Sequence, residues 1–161
     1  MKTKLLTSFL ALCICTFTFS QTPFGPEQQI DSNTGDNPYT IASGDLDGDT
    51  YSDIVIGGYG TANYIKWYKN DGNGNFDPPI NVSTTIQYVG GLHIADLNVD
   101  EVGNNGNDII ATNGANGEVV WYENNGSGFD SKQVIATLVG PGQVTTADIN
   151  EDGDLDLIVV D

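Results

Sequence analysis

The chain has 161 residues, and its five basic side chains, all lysine, face 22 acidic ones for a formal net charge of −17. So large an excess of carboxylate repels phosphate backbones and anionic headgroups, which argues against nucleic acid and membrane surfaces as partners while favouring divalent cations. Both cysteines, Cys13 and Cys15, fall in the N-terminal apolar stretch, so the rest of the chain has no thiol for a disulfide, a metal ligand or a nucleophile.

Residues 1–20 have the layout of a secretory signal. Lys2 and Lys4 are followed by an apolar run from Leu5 to Phe19, and Thr18 and Ser20 stand at −3 and −1 of a cut before Gln21. The run is shorter than the roughly 20 residues a spanning helix needs, so no membrane insertion is expected once it is removed. Leu12 and Ile14 precede the two cysteines where a lipoprotein places a small residue, which disfavours lipidation. After residue 20 only Lys66, Lys69 and Lys132 offset the acids, leaving −19. The expected location is extracellular or at the cell surface, where a chain without disulfides needs another means of cross-linking, such as metal ions.

One unit then repeats. It opens at Phe24-Gly25-Pro26, Phe76-Asp77-Pro78 and Phe129-Asp130-Ser131, at spacings of 52 and 53 residues, and divides the chain into 24–75, 76–128 and a partial 129–161. An Asp-rich loop recurs at Asp45, Asp96 and Asp148, and Trp67-Tyr68-Lys69-Asn70-Asp71-Gly72 returns as Trp121-Tyr122-Glu123-Asn124-Asn125-Gly126. The segments between turn signals are short, β-branched and aromatic, so every element is expected to be a strand. In the first unit these are Tyr39 to Gly44, Asp53 to Gly58 and Tyr64 to Lys69. Ile109-Ile110-Ala111, Glu118 to Glu123 and Leu157 to Val160 match them later. Continuous apolar runs in the second strand predict burial on both faces, and Asp71-Gly72 and Asn125-Gly126 supply left-handed hairpin turns. Four strands in about 50 residues is the size of a propeller blade, with a solenoid of the same period as the alternative. About two and a half blades are present, an incomplete propeller that leaves a strand edge and an apolar face open to further blades or to self-association.

The first loop, Asp45-Leu46-Asp47-Gly48-Asp49-Thr50-Tyr51-Ser52-Asp53, places carboxylates at alternate positions of a tight turn, an arrangement that aims hard oxygen donors at one centre. Asp45, Asp47 and Asp49 would each give one oxygen to Ca2+, Tyr51 its backbone carbonyl, and Asp53 both carboxylate oxygens. The third loop keeps the spacing with Asp148, Asn150, Asp152, Asp154 and Asp156. The second keeps Asp96, Asn98 and Asp100, but its closing carboxylate, Asp108, comes after a Gly/Asn-rich insertion. Two calcium sites are therefore expected, and a third at the interrupted loop. The competing reading is that Asp, Asn and Gly only build polar turns. Three loops in register weigh against it.

Gly44-Asp45-Leu46-Asp47-Gly48-Asp49, Asp53-Ile54-Val55-Ile56-Gly57-Gly58 and the Trp-Tyr-Lys-Asn-Asp-Gly marker resemble the FG-GAP/VCBS repeat family, best known from the propeller heads of integrin α-chains. The resemblance covers about residues 24 to 161. It implies an all-β propeller of four-stranded antiparallel blades, with the loop joining the first two strands of a blade and holding calcium on the residues named above. Gly57-Gly58-Tyr59 and Ala111-Thr112-Asn113 replace the Gly-Ala-Pro signature, so the chain is closer to the bacterial secreted branch, and integrin-type ligand binding is not implied.

The expected role is a non-catalytic binding or adhesion module for an extracellular protein or glycan. The alternative is the propeller part of a carbohydrate-active enzyme, or a lectin. The only histidine, His93, stands where the other units have Ala42 and Thr145, outside the shared framework. Tyr59, Tyr64 and Tyr88 are candidates either for stacking on sugars or for packing between blades.

Overall fold

The computed structural model describes residues 26–98 and 106–161. The secretory-signal expectation and Asp100 lie outside that range. The described residues form ten strands and no helix: β1 (Pro38–Gly44), β2 (Asp53–Gly58), β3 (Ile65–Tyr68), β4 (Ile80–Ser83), β5 (Val89–Ala95), β6 (Asp108–Asn113), β7 (Glu118–Tyr122), β8 (Gln133–Thr137), β9 (Val144–Ala147) and β10 (Asp156–Val159). They make two antiparallel four-stranded sheets, β1-β2-β3-β4 and β5-β6-β7-β8, and a two-stranded pair, β9 with β10. The sheets stack in chain order, β1 and β2 against β5, then β5 and β6 against β9. The array is open, as for successive blades of an incomplete propeller.

The sheets do not follow the cut suggested by the Phe-led openings. Lys66 pairs with Asn81 and Trp67 with Ile80, so the segment after Phe76 is the last strand of the first sheet, and β8, after Phe129, is likewise the last strand of the second. The matching N-terminal segment around Ile30 forms no strand. It runs instead along the rear face of the first sheet. Gln28 Nε2 donates to Gly74 O at 2.7 Å, Tyr68 OH to Asp31 Oδ2 at 2.8 Å, and Lys66 Nζ to Thr34 O at 2.7 Å. The second sheet has Val120 where the first has Lys66, and Val120 is fully buried between sheets. The lysine marks a face that no sheet of the described residues covers.

The main core lies between the first and second sheets and contains Leu46, Val55, Ile65, Trp67, Ile86, Val89, Ile109, Val120 and Tyr122. A smaller one, with Ile110, Val119 and Val144, joins the second sheet to the β9–β10 pair. Two glycines allow this close stacking. A Cβ on Gly57 would lie 2.7 Å from Val89 Cγ1, and one on Gly91 would lie 2.7 Å from Gly142 O and 2.9 Å from Gln143 Cα. All of β6 is buried, as its apolar run predicts. In β10 the equivalent Leu157 and Ile158 remain exposed, because only one sheet packs on that pair.

Candidate metal loops

Each Asp loop joins the first and second strands of its sheet, and in the first and third the backbone is set by the loop's own carboxylates. In the first loop Asp45 Oδ1 accepts from Gly48 N at 2.8 Å and Oδ2 from Thr50 N at 2.9 Å, while Asp49 Oδ1 accepts from Tyr51 N at 2.9 Å. In the third, Asp148 Oδ2 accepts from Gly153 N at 3.0 Å and Asp152 Oδ1 from Asp154 N at 3.0 Å. Both loops turn left-handed at positions 4 and 6: Gly48 (φ 78°) and Thr50 (φ 75°) in one, Glu151 (φ 61°) and Gly153 (φ 96°) in the other. A β-branched residue is strained there, and position 6 is glycine in the third loop. Thr50→Gly should therefore stabilise the chain by about 0.5–1 kcal/mol in urea unfolding, the released strain being partly offset by glycine's unfolded-state entropy.

The side chains of Asp45, Asp47 and Asp49 converge, offering one oxygen each within 4.8 Å of one another. Oxygens sharing one calcium at about 2.3–2.6 Å stand no more than ~5 Å apart, so this trio fits a single ion. Among the described residues no other acidic trio converges in this way. In the third loop Asn150 Nδ2 donates to Asp152 Oδ2 at 2.9 Å, so that carboxylate is engaged with its own loop.

The closing aspartates have a structural role that their spacing did not reveal. Asp53 is fully buried. Its Oδ2 accepts from Leu46 N at 3.1 Å and Trp67 Nε1 at 3.0 Å, and its Oδ1 from Asn70 N at 2.9 Å. Asp108, also buried, accepts from Leu97 N at 3.0 Å and Asn124 N at 2.8 Å, which places it as the counterpart of Asp53 despite the insertion. Asp156 accepts from Ile149 N at 3.0 Å. The closing carboxylate thus holds the second residue of its own loop in all three copies, and in two it also holds the exit of the third strand. Burial pushes the pKa values of Asp53 and Asp108 up, and their hydrogen bonds oppose the rise. The Trp121 indole also lowers that of Asp108, although its geometry falls short of a hydrogen bond.

Asn70 and Asn124 give the repeated Trp-Tyr-x-Asn marker its physical meaning. Each donates its backbone N–H to the closing Asp, accepts on Oδ1 from the N–H of Gly72 or Gly126 at 3.0 Å, and donates from Nδ2 to the carbonyl just before the closing Asp. Asn124 Nδ2 also reaches Leu46 O at 2.6 Å, and Asn107 Nδ2 donates to Asp45 O at 2.8 Å, so the second sheet grips the first loop. The recurrence of the asparagine in both markers was the available signal.

Position 3 of the loop differs in counter-charge. Lys69 Nζ lies 2.5 Å from Asp47 Oδ2, and Asp47 holds the ammonium protonated. At the same place in the second unit Glu123 Oε1 accepts from Asn98 Nδ2 at 3.0 Å. The first loop carries a built-in cation, whereas the second carries an extra carboxylate. Lys69→Gln should raise calcium affinity at the first loop about two- to fivefold in calorimetric titration, the scale of a partly exposed ion pair. Glu123→Gln should leave that affinity unchanged.

His93 does not join these groups. Its Nε2 lies 3.0 Å from Thr146 Oγ1 between sheets, and burial lowers its pKa, which favours the neutral ring.

A family model described as an FG-GAP-like repeat matches residues 45–102 and again 103–159, together more than half of the chain. No curated protein matches.

Proposed function

This chain belongs to the FG-GAP-like repeat family, and from that membership and the loop geometry we propose that it is a secreted, calcium-binding, non-catalytic module that displays a rigid stack of blades to an extracellular protein or glycan. The convergence of Asp45, Asp47 and Asp49 carries the reading. Calcium would supply the positive charge that lets these carboxylates share one centre. The chain would add the carbonyl of Tyr51 and the carboxylate of Asp53, which also holds the loop's shape through Leu46. At the third loop Asp148, Asn150, Asp152, Asp154 and Asp156 would act in the same way, and at the second Asp96, Asn98, Asp100 and Asp108. The non-catalytic assignment is supported by the repeat family and by the engagement of His93 with Thr146. Apolar side chains exposed on β10 and just after it, with Ile158 at 38 % and Val160 at 63 %, support association with further blades or with a second copy.

Calorimetric titration of the chain with calcium tests the metal assignment. Saturable binding is expected, with Asp49→Ala losing one class of site, and unaltered heats in that variant would remove the first loop from the assignment.

A further inference from the structure

The strand ends opposite the Asp loops carry a second feature. Tyr39 is the second residue of β1, Tyr59 follows β2 and Tyr88 precedes β5. The rings of Tyr39 and Tyr59 lie 4.6 Å apart at 32°, and those of Tyr59 and Tyr88 lie 5.2 Å apart, edge to face. All three stay exposed, Tyr39 at 63 %, so they form a platform and not a core. The segment Gly140-Pro141-Gly142-Gln143 leading into β9 stands across from them, and together they bound a cleft of about 510 Å3. That volume lies in the range that accommodates a small ligand.

The cleft is built from all three sheets and held by the backbone. Tyr59 N donates to Asn37 O at 3.0 Å, Gly114 N to Tyr88 O at 3.2 Å, and Gly142 N to Val160 O at 2.7 Å. Gln143 Nε2 is spent on Gly90 O at 2.8 Å, so the amide is fixed in place. Tyr88 adopts φ 51°, a left-handed conformation that a bulky residue takes only when its surroundings impose it, and such strain gathers at binding sites.

We propose that this cleft binds a neutral saccharide. Tyrosine offers a flat apolar face with a negative quadrupole, suited to the C–H-bearing face of a sugar ring, and a hydroxyl at its edge for the sugar's own hydroxyls, at little cost in side-chain entropy. No lining residue is charged, in a chain of net charge −17, so the cleft has nothing to hold an anionic sugar and the surrounding field repels one. A proline-rich peptide also docks on aromatic side chains, but it needs ridges spaced along a helix that repeats every ~9 Å. Here Tyr59 lies 4.6 Å from Tyr39 and 5.2 Å from Tyr88, so neighbouring rings touch and leave no groove between them for a proline. The proposal rests on the reading of the chain as a binding module, and it does not require an occupied metal loop, because the cleft and the loops lie at opposite ends of the strands.

Saturation-transfer NMR and calorimetry on the full chain test it, using cello-, laminari-, chito- and manno-tetraose, a sialylated trisaccharide and a proline-rich decapeptide. At least one neutral tetrasaccharide should bind saturably. Tyr59→Ala should weaken that binding about tenfold or more, the loss typical of one stacked ring, and Tyr59→Phe should retain most of it. Tyr39→Ala, at the most exposed ring, gives a second reading should Tyr59→Ala unfold. The idea is overturned if no neutral sugar binds, if binding survives both alanine variants, or if only the sialylated sugar or the peptide binds. A calcium titration of the same sample separates failure of the cleft from failure of the metal assignment.

Discussion

Removing calcium with a strong chelator is expected to lower the midpoint of thermal unfolding by about 10 °C or more relative to millimolar calcium. A ligand at 100 times its dissociation constant stabilises the native state by about 2.7 kcal/mol per site, and a chain of this size shifts by a few degrees for each kcal/mol. Two occupied loops would give a shift of that order. The electrostatics of the first loop point the same way. Three carboxylates within 4.8 Å of one another repel by roughly 3.5 kcal/mol or more per pair at an effective dielectric constant of 20, before solvent screening reduces it. Lys69 pairs directly with Asp47 alone and reaches Asp49 only at longer range, so it relieves the repulsion in part. Scanning calorimetry in calcium and in chelator measures the shift, and coincident melting curves would end the proposal that metal orders these loops.

Asp53→Ala is the substitution expected to damage the fold most. It orphans the N–H of Leu46, the indole N–H of Trp67 and the N–H of Asn70, all now directed at one buried carboxylate. Each unsatisfied buried donor costs about 1–3 kcal/mol, and a loss of about 3–5 kcal/mol is expected once relaxation is allowed for. Asp53→Asn should lose less. Its carbonyl can still accept from Leu46 and Trp67, but its NH2 group then faces the Asn70 N–H, donor against donor. Chelator should not erase these differences, because the three bonds are made by protein donors. Equilibrium urea unfolding of both variants, with Asp36→Asn as an exposed control, checks the order. An alanine variant as stable as the control would show that the buried carboxylate ties nothing together.

The two effects are separable because adjoining residues do different work. Asp45, Asp47 and Asp49 are partly or fully exposed and converge on a point outside the sheet, while Asp53 lies beneath them in the core. Asp53 also sets the loop's conformation through Leu46, and Leu46 itself is buried in the main core. Packing between the first two sheets therefore shapes the loop that would receive the ion.

What depends on neighbours along the chain was determined by the sequence. The strands at Asp53 to Gly58 and around Trp67 and Trp121, the left-handed turns at Gly72 and Gly126, and the loops between first and second strands all follow from local alternation and turn chemistry, which act within a few residues. Partners across strands and sheets were decided only by tertiary structure, because pairing and stacking join residues tens of positions apart. That is why the strand after Phe76 belongs to the sheet before it, why Asp108 keeps the place of Asp53 across an insertion, and why Lys69 and Glu123 give two similar loops opposite counter-charges. It is also why Tyr64 is buried on the rear face of the first sheet while Tyr59 and Tyr88 meet Tyr39 in an open cleft: three tyrosines alike in sequence are sorted by which sheet end each one reaches.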